Sequence, residues 1–418
     1  MTDEAGDLVL RSLSAAELAD FVRLEGLVWG WPPYDSRRSF YAGFLEPEHT
    51  WGVFHDDRLV ASHGMVRLQL TVPGGRVVDA AGITILAIHP QFRGRGLMSR
   101  LTDNAHELIR RDSREPIAVG VPHHSRTHLR YGYGIASRYA NVELEVHGQR
   151  SLRNIPDRCE LEYTDAKTAL QEMDQLAQQM TGQRNGWIPR KLCASEYQYS
   201  GAEQPDGDFG PVSFVLHRTT AGVVDGFLSY RLSSGADSYG RPSGTLKVVE
   251  LFGLDALAEA QLWQHCLRNP VITKIIAARR PVNDPIGARL SDPRAWRQVI
   301  RDDMILTTLD IPAALAARCY SREDTLVLGI CGPTAADVDG RPANFELSGG
   351  LDGASCRRVA AAPDVVLSLS ALGAAYLGDV SLVDLAASGQ VVEHEPGSLR
   401  RASAMFSWSP APWIQDTF

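Results

Sequence analysis

The sequence has few cysteines, and none of them is spaced for a zinc site. Six cysteines occur among 418 residues, all far from one another, at positions 159, 193, 266, 319, 331 and 356. A zinc knuckle needs a closely spaced Cys-x-x-Cys pair, and a disulfide-stabilised secreted domain needs a denser set of cysteines. We therefore expect no bound metal and a reducing compartment.

Long apolar runs and an excess of positive charge are also missing. No uncharged run reaches the length that spans a bilayer, and the acidic start, Met-Thr-Asp-Glu-Ala-Gly-Asp, is unlike a signal peptide. Lys and Arg number 42 against 50 Asp and Glu, a net charge of −8, so the basic surface typical of nucleic-acid binding is not expected. These features predict a cytoplasmic protein that binds neither membranes nor nucleic acids.

The remaining composition is that of a globular protein with room for two or three domains, since 44% of the residues are apolar and 22% are charged. Alternating and helical patterns predict a short edge strand, a helix that begins after a serine cap and ends at Gly30, a hairpin around an Asp-Asp turn, and a central apolar strand. In order, these elements cover residues 8–13, 15–29, 50–70 and 82–88.

The most informative stretch is residues 86–99, Leu-Ala-Ile-His-Pro-Gln-Phe-Arg-Gly-Arg-Gly-Leu-Met-Ser. An apolar strand leads into a loop with two glycines and two arginines, and apolar residues then recur at helical spacing. Backbone N–H groups at a helix N-terminus, with arginines beside them, form a site for a phosphate-bearing ligand. The glycine order fits neither a Walker loop nor a dinucleotide-binding fingerprint.

This Gln-x-x-Gly-x-Gly pattern between a strand and an amphipathic helix resembles the coenzyme A loop of the GNAT N-acyltransferase superfamily. The resemblance implies acetyl-CoA or another acyl-CoA as co-substrate. It also implies that backbone N–H groups near residues 86–88 polarise the thioester carbonyl. The cofactor-binding residues expected on this basis are Leu86, Ala87, Ile88, Arg93, Gly94, Arg95, Gly96, Leu97, Met98 and Ser99.

A second motif, Arg-Tyr-Gly-Tyr-Gly at residues 130–134, is similar to the enhanced intracellular survival (Eis) branch of that superfamily. The resemblance covers nearly the whole chain and implies an α/β protein with mixed sheets: tandem GNAT folds followed by a sterol-carrier-like domain. We expect a catalytic GNAT domain at 1–154, a degenerate GNAT-like domain at 155–296 and the carrier-like domain at 297–418. A hexameric homo-oligomer is also implied.

The same resemblance identifies catalytic candidates. The family places a tyrosine, as general acid for the leaving thiolate, three residues before the first aromatic of this motif, and in this chain that position is His128. An imidazole with an ordinary pKa of about 6.5 is a competent acid near neutral pH, and Tyr131 and Tyr133 are the alternatives. The family also uses the C-terminal carboxylate to accept the amine proton, which here would belong to Phe418.

Two more histidines, His123 and His124, fall by family position where a strand end contacts the coenzyme, so they are further candidate binding residues. With His128 they also suggest a zinc site, but no acidic or cysteine ligand stands beside them, and we expect no metal there. Trp29, Trp31 and Tyr34 are candidates for lining an amine pocket, although packing in a loop corner is the commoner role of such aromatics.

These observations predict transfer of an acetyl or short acyl group from coenzyme A to a primary amine of an aminoglycoside-like, polyamine or lysine-containing acceptor. Two alternatives stay open. Replacement of the family tyrosine by His128 would also suit a non-catalytic protein that binds acyl-CoA or a hydrophobic ligand. A dedicated natural-product acyltransferase would share every motif but accept only one amine.

Overall fold

The structure is a computed structural model that describes residues 8–31, 35–112, 115–121, 125–146, 148, 151–155, 160–332 and 342–415. In chain order its strands are β1 (Val9–Ser12), β2 (Thr50–His55), β3 (Arg58–Val72), β4 (Arg76–Ile88), β5 (Ile117–Gly120), β6 (Gly134–Ile135), β7 (Arg138–Glu145), β8 (Glu160–Thr164), β9 (Ser213–Arg218), β10 (Val224–Ser233), β11 (Gly244–Gly253), β12 (Ile272–Pro281), β13 (Trp296–Asp302), β14 (Ile305–Thr308), β15 (Asp324–Cys331), β16 (Ala343–Gly350), β17 (Gly353–Arg358), β18 (Val365–Ser368) and β19 (Val391–Glu393). Its helices are α1 (Leu18–Trp29), α2 (Asp35–Phe44), α3 (Leu97–Asp112), α4 (Ser125–Leu129), α5 (Ala166–Gln179), α6 (Leu192–Gln198), α7 (Ala256–Leu267), α8 (Ile286–Arg289), α9 (Ile311–Ala316), α10 (Leu369–Ala375), α11 (Leu382–Ala387) and α12 (Ser398–Phe406).

The first sheet has the strand order β1-β2-β3-β4-β5-β14-β6. The predicted hairpin and central strand are β2, β3 and β4, which pair antiparallel in sequence order, and β1 is the predicted edge strand beside β2. The turn between β2 and β3 places Asp56 and Asp57 at φ 48° and 58°, the left-handed conformation that a two-residue hairpin turn requires at both positions. Ser14 caps a short 3-10 turn that leads into α1, and Gly30 at φ 71° ends that helix, as expected.

One strand of the first sheet comes from far along the chain. β14 lies between β5 and β6 and is antiparallel to both. Helix α10 packs closely on this part of the sheet. An added Cβ on Gly134 would lie 1.9 Å from the carbonyl oxygen of Ser370, and one on Gly373 would lie 2.0 Å from that of Leu306. Only glycine allows the two backbones to approach in this way.

Contacts divide the chain into two units. The first contains the residues up to Ser137 and residues 303–409, and it holds the first sheet and the third sheet, of order β17-β16-β15-β18-β19. The second unit contains residues 138–302 and 410–416, with a sheet of order β13-β7-β12-β11-β10-β9-β8. The domain limits expected from the sequence stay predictions; β7 and β13 pair with each other inside the second sheet.

Apolar clusters join the helices to these sheets. In the first sheet α3 contributes a buried row, the residues Leu97, Leu101, Ala105 and Ile109, spaced as one face of a helix requires. The third sheet is covered by a separate cluster that includes Leu326, Leu372 and Phe406. Among the helices in the described ranges, none has both the length and the apolar character needed to cross a membrane.

Candidate active site

The central strand β4 is distorted just before the glycine loop. Two of its residues, Ile85 and Leu86, stand opposite a single residue of β3, and Ile85 adopts φ 54°. This is a β-bulge, which redirects the backbone groups of the strand. The ladder between β4 and β5 ends at Ile83. Within the described residues, positions 84–88 therefore have no strand partner on the β5 side, and Arg93 Nε donates a 3.4 Å hydrogen bond to the Ile88 carbonyl oxygen.

The loop after β4 has the geometry of an anion site. Gly94 and Gly96 lie at φ 78° and 74°, and an added Cβ on either would meet open space. Glycine is thus needed for the backbone conformation, not for packing. Arg93 and Arg95 are exposed, and Arg95 lies over the ring of Phe92, 5.0 Å from its centroid. The loop leads directly into α3, whose N-terminus favours negative charge.

The Arg-Tyr-Gly-Tyr-Gly segment contacts the helix that follows the glycine loop. The hydroxyls of Tyr131 and Ser99, on the first turn of α3, are 2.7 Å apart. Gly132 adopts φ 86°, and a Cβ there would lie 2.5 Å from Leu369 of α10. The two motifs found in the sequence therefore meet in one place, and α10 confines the turn that joins Tyr131 to Tyr133.

His128 lies half-buried on α4, just before that segment. Its imidazole meets the Tyr133 ring edge-on, with centroids 5.8 Å apart and an interplanar angle of 81°. Burial lowers the pKa of His128 to about 4, because the charged imidazolium loses hydration there. With this pKa the imidazole is neutral at pH 7, and the role of His128 as general acid stays a prediction.

Two further buried histidines belong to the same region. The Tyr133 hydroxyl and Nε2 of His106 on α3 form a hydrogen bond of 2.9 Å, in which the hydroxyl donates when Nε2 carries no proton. Burial, followed by the positive charge of Arg110, lowers the pKa of His106 to about 4. Burial likewise lowers the pKa of His63 to about 3. Tyr133 is fully buried and its pKa is raised, so it is poorly placed to release a proton.

The structure also reveals a buried acid, Glu25 on α1, which the sequence interpretation missed. Only 1% of Glu25 is exposed. Burial raises the pKa of this carboxyl to about 8, and the charge of Arg37 and polar contacts with Ser62 and Trp29 offset only part of that effect. A sequence signal existed: Glu25 is four residues after the buried Phe21, on the apolar face of the helix.

Glu25 stands near the distorted part of β4 and beside aromatic rings. α1 packs on that strand through a cluster that includes Phe21, Leu24, Ile85 and Ala87. The rings of Trp29 and Trp31 stack with centroids 6.0 Å apart, and the Arg37 guanidinium lies 4.3 Å from the Trp31 ring centroid. A buried carboxyl with stacked indoles nearby is a suitable environment for an ammonium group.

The structure brings most of the expected site residues together. The bulge, the glycine loop and the first turn of α3 are contiguous and include Leu86, Ala87, Ile88, Arg93, Gly94, Arg95, Gly96, Leu97, Met98 and Ser99. His128 reaches this region through Tyr133 and α3. Tyr34, His123, His124 and Phe418 lie outside the described residues, so their roles stay predictions.

Three domain models match the chain. Two describe acetyltransferase (GNAT) domains, at residues 9–136 and 186–308, and one describes a sterol carrier protein domain, at residues 311–415. They confirm the expected fold class of tandem GNAT domains and a C-terminal sterol-carrier-like domain with mixed α/β sheets.

Individual relatives agree with these domain matches. An uncharacterised N-acetyltransferase of Streptomyces coelicolor is 30% identical over 360 residues, which cover 86% of each chain. The N-acetyltransferase Eis of Mycobacterium tuberculosis is 28% identical over 360 residues, or 81% of each chain. The crystal structure of Eis1 from Mycobacterium abscessus has a TM-score of 0.84 and 25% identity, covering 99% of this chain and 100% of that one.

Proposed function

The chain belongs to the Eis-like GNAT N-acetyltransferases and is an acyl-CoA-dependent N-acyltransferase, and on that premise we propose that it acylates a primary amine of an aminoglycoside-like, polyamine or lysine-containing acceptor. The observation that carries this choice is Glu25. A buried carboxyl with a raised pKa gains most from a positively charged partner, because an ammonium group restores the stability of its ionised form. The Trp29 side chain contacts this carboxyl, and its ring is the aromatic group assigned to the same cation.

The chain's own residues would divide the reaction as follows. The glycine loop and the α3 N-terminus hold the phosphates of acyl-CoA, which supplies the thioester. Backbone N–H groups of residues 86–88 polarise the thioester carbonyl. The amine nitrogen bonds to the acyl carbon and the C–S bond breaks, so one proton leaves the amine and one reaches the thiolate. We assign acceptance of the amine proton to the Phe418 carboxylate, as the family resemblance implies.

The proton for the thiolate is assigned differently from the sequence prediction. A neutral imidazole must first gain a proton before it can act as an acid, and with a pKa of about 4 His128 seldom does so at neutral pH. A phenol hydroxyl is a proton donor, and that of Tyr131 lies within hydrogen-bond distance of Ser99 on α3, at 2.7 Å. We therefore propose that Tyr131 supplies the proton and that neutral His128 contributes a hydrogen-bonding group to the site.

The test is release of free coenzyme A thiol from acetyl-CoA by protein with an untagged C-terminus. The acceptor panel contains polyamines, aminoglycosides and lysine peptides. Turnover on several amines supports the proposal, and Glu25→Gln should then raise KM for the amine with little effect on the acetyl-CoA Kd. Turnover on one amine identifies a dedicated acyltransferase. If the protein binds acetyl-CoA but releases no coenzyme A thiol with any amine of the panel, the proposed acceptor class is contradicted.

Two further properties belong to this proposal. The hexameric assembly is proposed from the family resemblance, and the cytoplasmic location from the composition. Light scattering of the purified chain measures the mass of the assembly against 45.8 kDa for one copy. A monomeric mass would contradict the proposed assembly without affecting the proposed reaction.

A further inference from the structure

The second sheet repeats the opening found beside the glycine loop of the first sheet. β11 and β12 are parallel, but their ladder ends where Val248 pairs with Ala277. β11 continues to Gly253 along β10, and β12 continues to Pro281 along β7. The two strands therefore diverge as β4 and β5 do, and a cleft forms between residues 249–253 and 278–281.

The helix that follows β11 is not available to a phosphate. The side chain of Asp255 accepts hydrogen bonds of 2.8 Å from the backbone N–H groups of both Leu257 and Ala258 at the start of α7. A carboxylate thus occupies the N-terminal groups that bind an anion in a coenzyme A loop. This capping explains in physical terms why the second GNAT domain would not bind acyl-CoA.

The cleft is instead filled by the chain's own residues 411–415. Trp413 is 2% exposed, and its indole N–H donates a 2.7 Å hydrogen bond to the Arg279 carbonyl on β12. Its ring lies 5.7 Å from that of Trp187, with the Arg280 guanidinium 5.4 Å away. Gly186 adopts φ 83°, and an added Cβ would lie 2.8 Å from the Trp413 backbone nitrogen, so this surface leaves room for the segment.

The other side of the cleft holds the next polar residue. Gln415 Nε2 donates a 2.7 Å hydrogen bond to Oε1 of Glu250 on β11, and Arg279 Nε donates one of 3.1 Å to the Gln415 carbonyl oxygen. Glu250 is buried and is itself held by Arg190 and by the Tyr199 hydroxyl. A buried carboxylate with this many partners is a rigid acceptor.

We propose that the cleft between β11 and β12 is a docking site for residues 411–415 of the same chain, and that Glu250 and Trp413 are positioning residues for the reaction. The second GNAT domain would then bind a segment of its own chain between β11 and β12, the position that corresponds to the substrate cleft between β4 and β5 in the first domain. This inference rests on the proposed function through Phe418, which is three residues beyond Gln415. Three residues span at most about 10 Å, so anchoring Gln415 restricts where the Phe418 carboxylate can act.

The test uses the full-length chain and two measurements. Timed carboxypeptidase digestion followed by mass spectrometry should not proceed past Gln415 in the wild type. In Trp413→Ala and Glu250→Gln, digestion past residue 415 should be about 100-fold faster, because the released segment is open more often. The matched control is Leu262→Ala, which removes a buried side chain from the opposite core of the same domain and should keep the protection.

The second measurement separates positioning from general damage. Trp413→Ala and Glu250→Gln should lower kcat by about 100-fold without changing the acetyl-CoA Kd, and Trp413→Phe should recover part of the loss. Equal rates of digestion past residue 415 in the wild type and the variants would overturn the inference. So would a variant that is digested faster but, when intact, has the same kcat as the wild type. A wild type that protects residues 411–415 but acylates no amine contradicts the proposed function and leaves the docking site standing.

Discussion

The buried and half-buried histidines beside the first sheet make the free energy of unfolding depend on pH, and His106 is the best place to measure it. Its imidazole has a pKa of about 4 in the folded chain, against 6.5 when unfolded. A group whose pKa is lowered by folding contributes stability above pH 6.5, and this stability is lost as the pH falls towards 4. The reason is that in this pH range the unfolded chain binds a proton at this group and the folded chain does not. Between pH 7 and pH 5 this loss is about 2 kcal/mol for one histidine.

The perturbation is His106→Gln, because the glutamine amide oxygen can still accept the hydrogen bond from Tyr133 and does not titrate. The variant should be less stable than the wild type at pH 7. At pH 5 the gap, meaning the difference in free energy of unfolding between the two proteins, should be smaller by about 2 kcal/mol, since only the wild type loses stability through residue 106. Tyr133→Phe is the matched control: it removes the same hydrogen bond but keeps the imidazole, so its gap should not shrink.

Hydrogen-exchange mass spectrometry of peptides from α3 and β4 measures this gap, and comparing proteins at the same pH cancels the intrinsic exchange rates. Other titrating groups contribute equally to both proteins and also cancel. A change in the gap of less than about 0.5 kcal/mol between pH 7 and pH 5 would refute the reasoning. It would mean that the His106 imidazole is protonated, or hydrated, in the folded chain.

The remaining predictions concern the loop, the buried acid and His128. Gly94→Ala and Gly96→Ala should weaken acetyl-CoA binding about tenfold in calorimetry. The control is Gly389→Ala, where φ is 77° and an added Cβ also meets open space: it should destabilise the backbone to a similar extent but leave the affinity for acetyl-CoA unchanged. The pKa of Glu25 is raised from 4.5 to about 8, so its contribution to stability is lost as the pH rises through that range. In urea unfolding, Glu25→Gln should therefore have a free energy of unfolding about 4 kcal/mol above that of the wild type at pH 8, and the difference should be clearly smaller at pH 6. His128→Ala should lower kcat but leave the shape of the pH–rate profile between pH 6 and 9 unchanged; disappearance of a limb near neutrality would show that His128 titrates there after all.

The sequence by itself determined the family and the order of the first elements, and it predicts the place of the coenzyme loop. These follow from local patterns. Alternation fixes which residues can form β4, the positive φ of Gly94 and Gly96 needs glycine, and apolar spacing defines the buried face of α3. Domain matches over three regions of the chain, together with the Eis relatives, confirmed the Eis-like assignment.

Only the tertiary structure decided the electrostatics and the long-range partners. The pKa of His128 depends on how much surrounding protein displaces water from the imidazole, which no local pattern records, and the same holds for Glu25. The insertion of β14 between β5 and β6, and the docking of Trp413 in the second sheet, join segments more than 100 residues apart. Such contacts depend on the complementarity of surfaces that are distant in the sequence and meet only after each element has folded. Hydrophobic periodicity shows which face of an element is buried, but it does not show which other segment packs on that face.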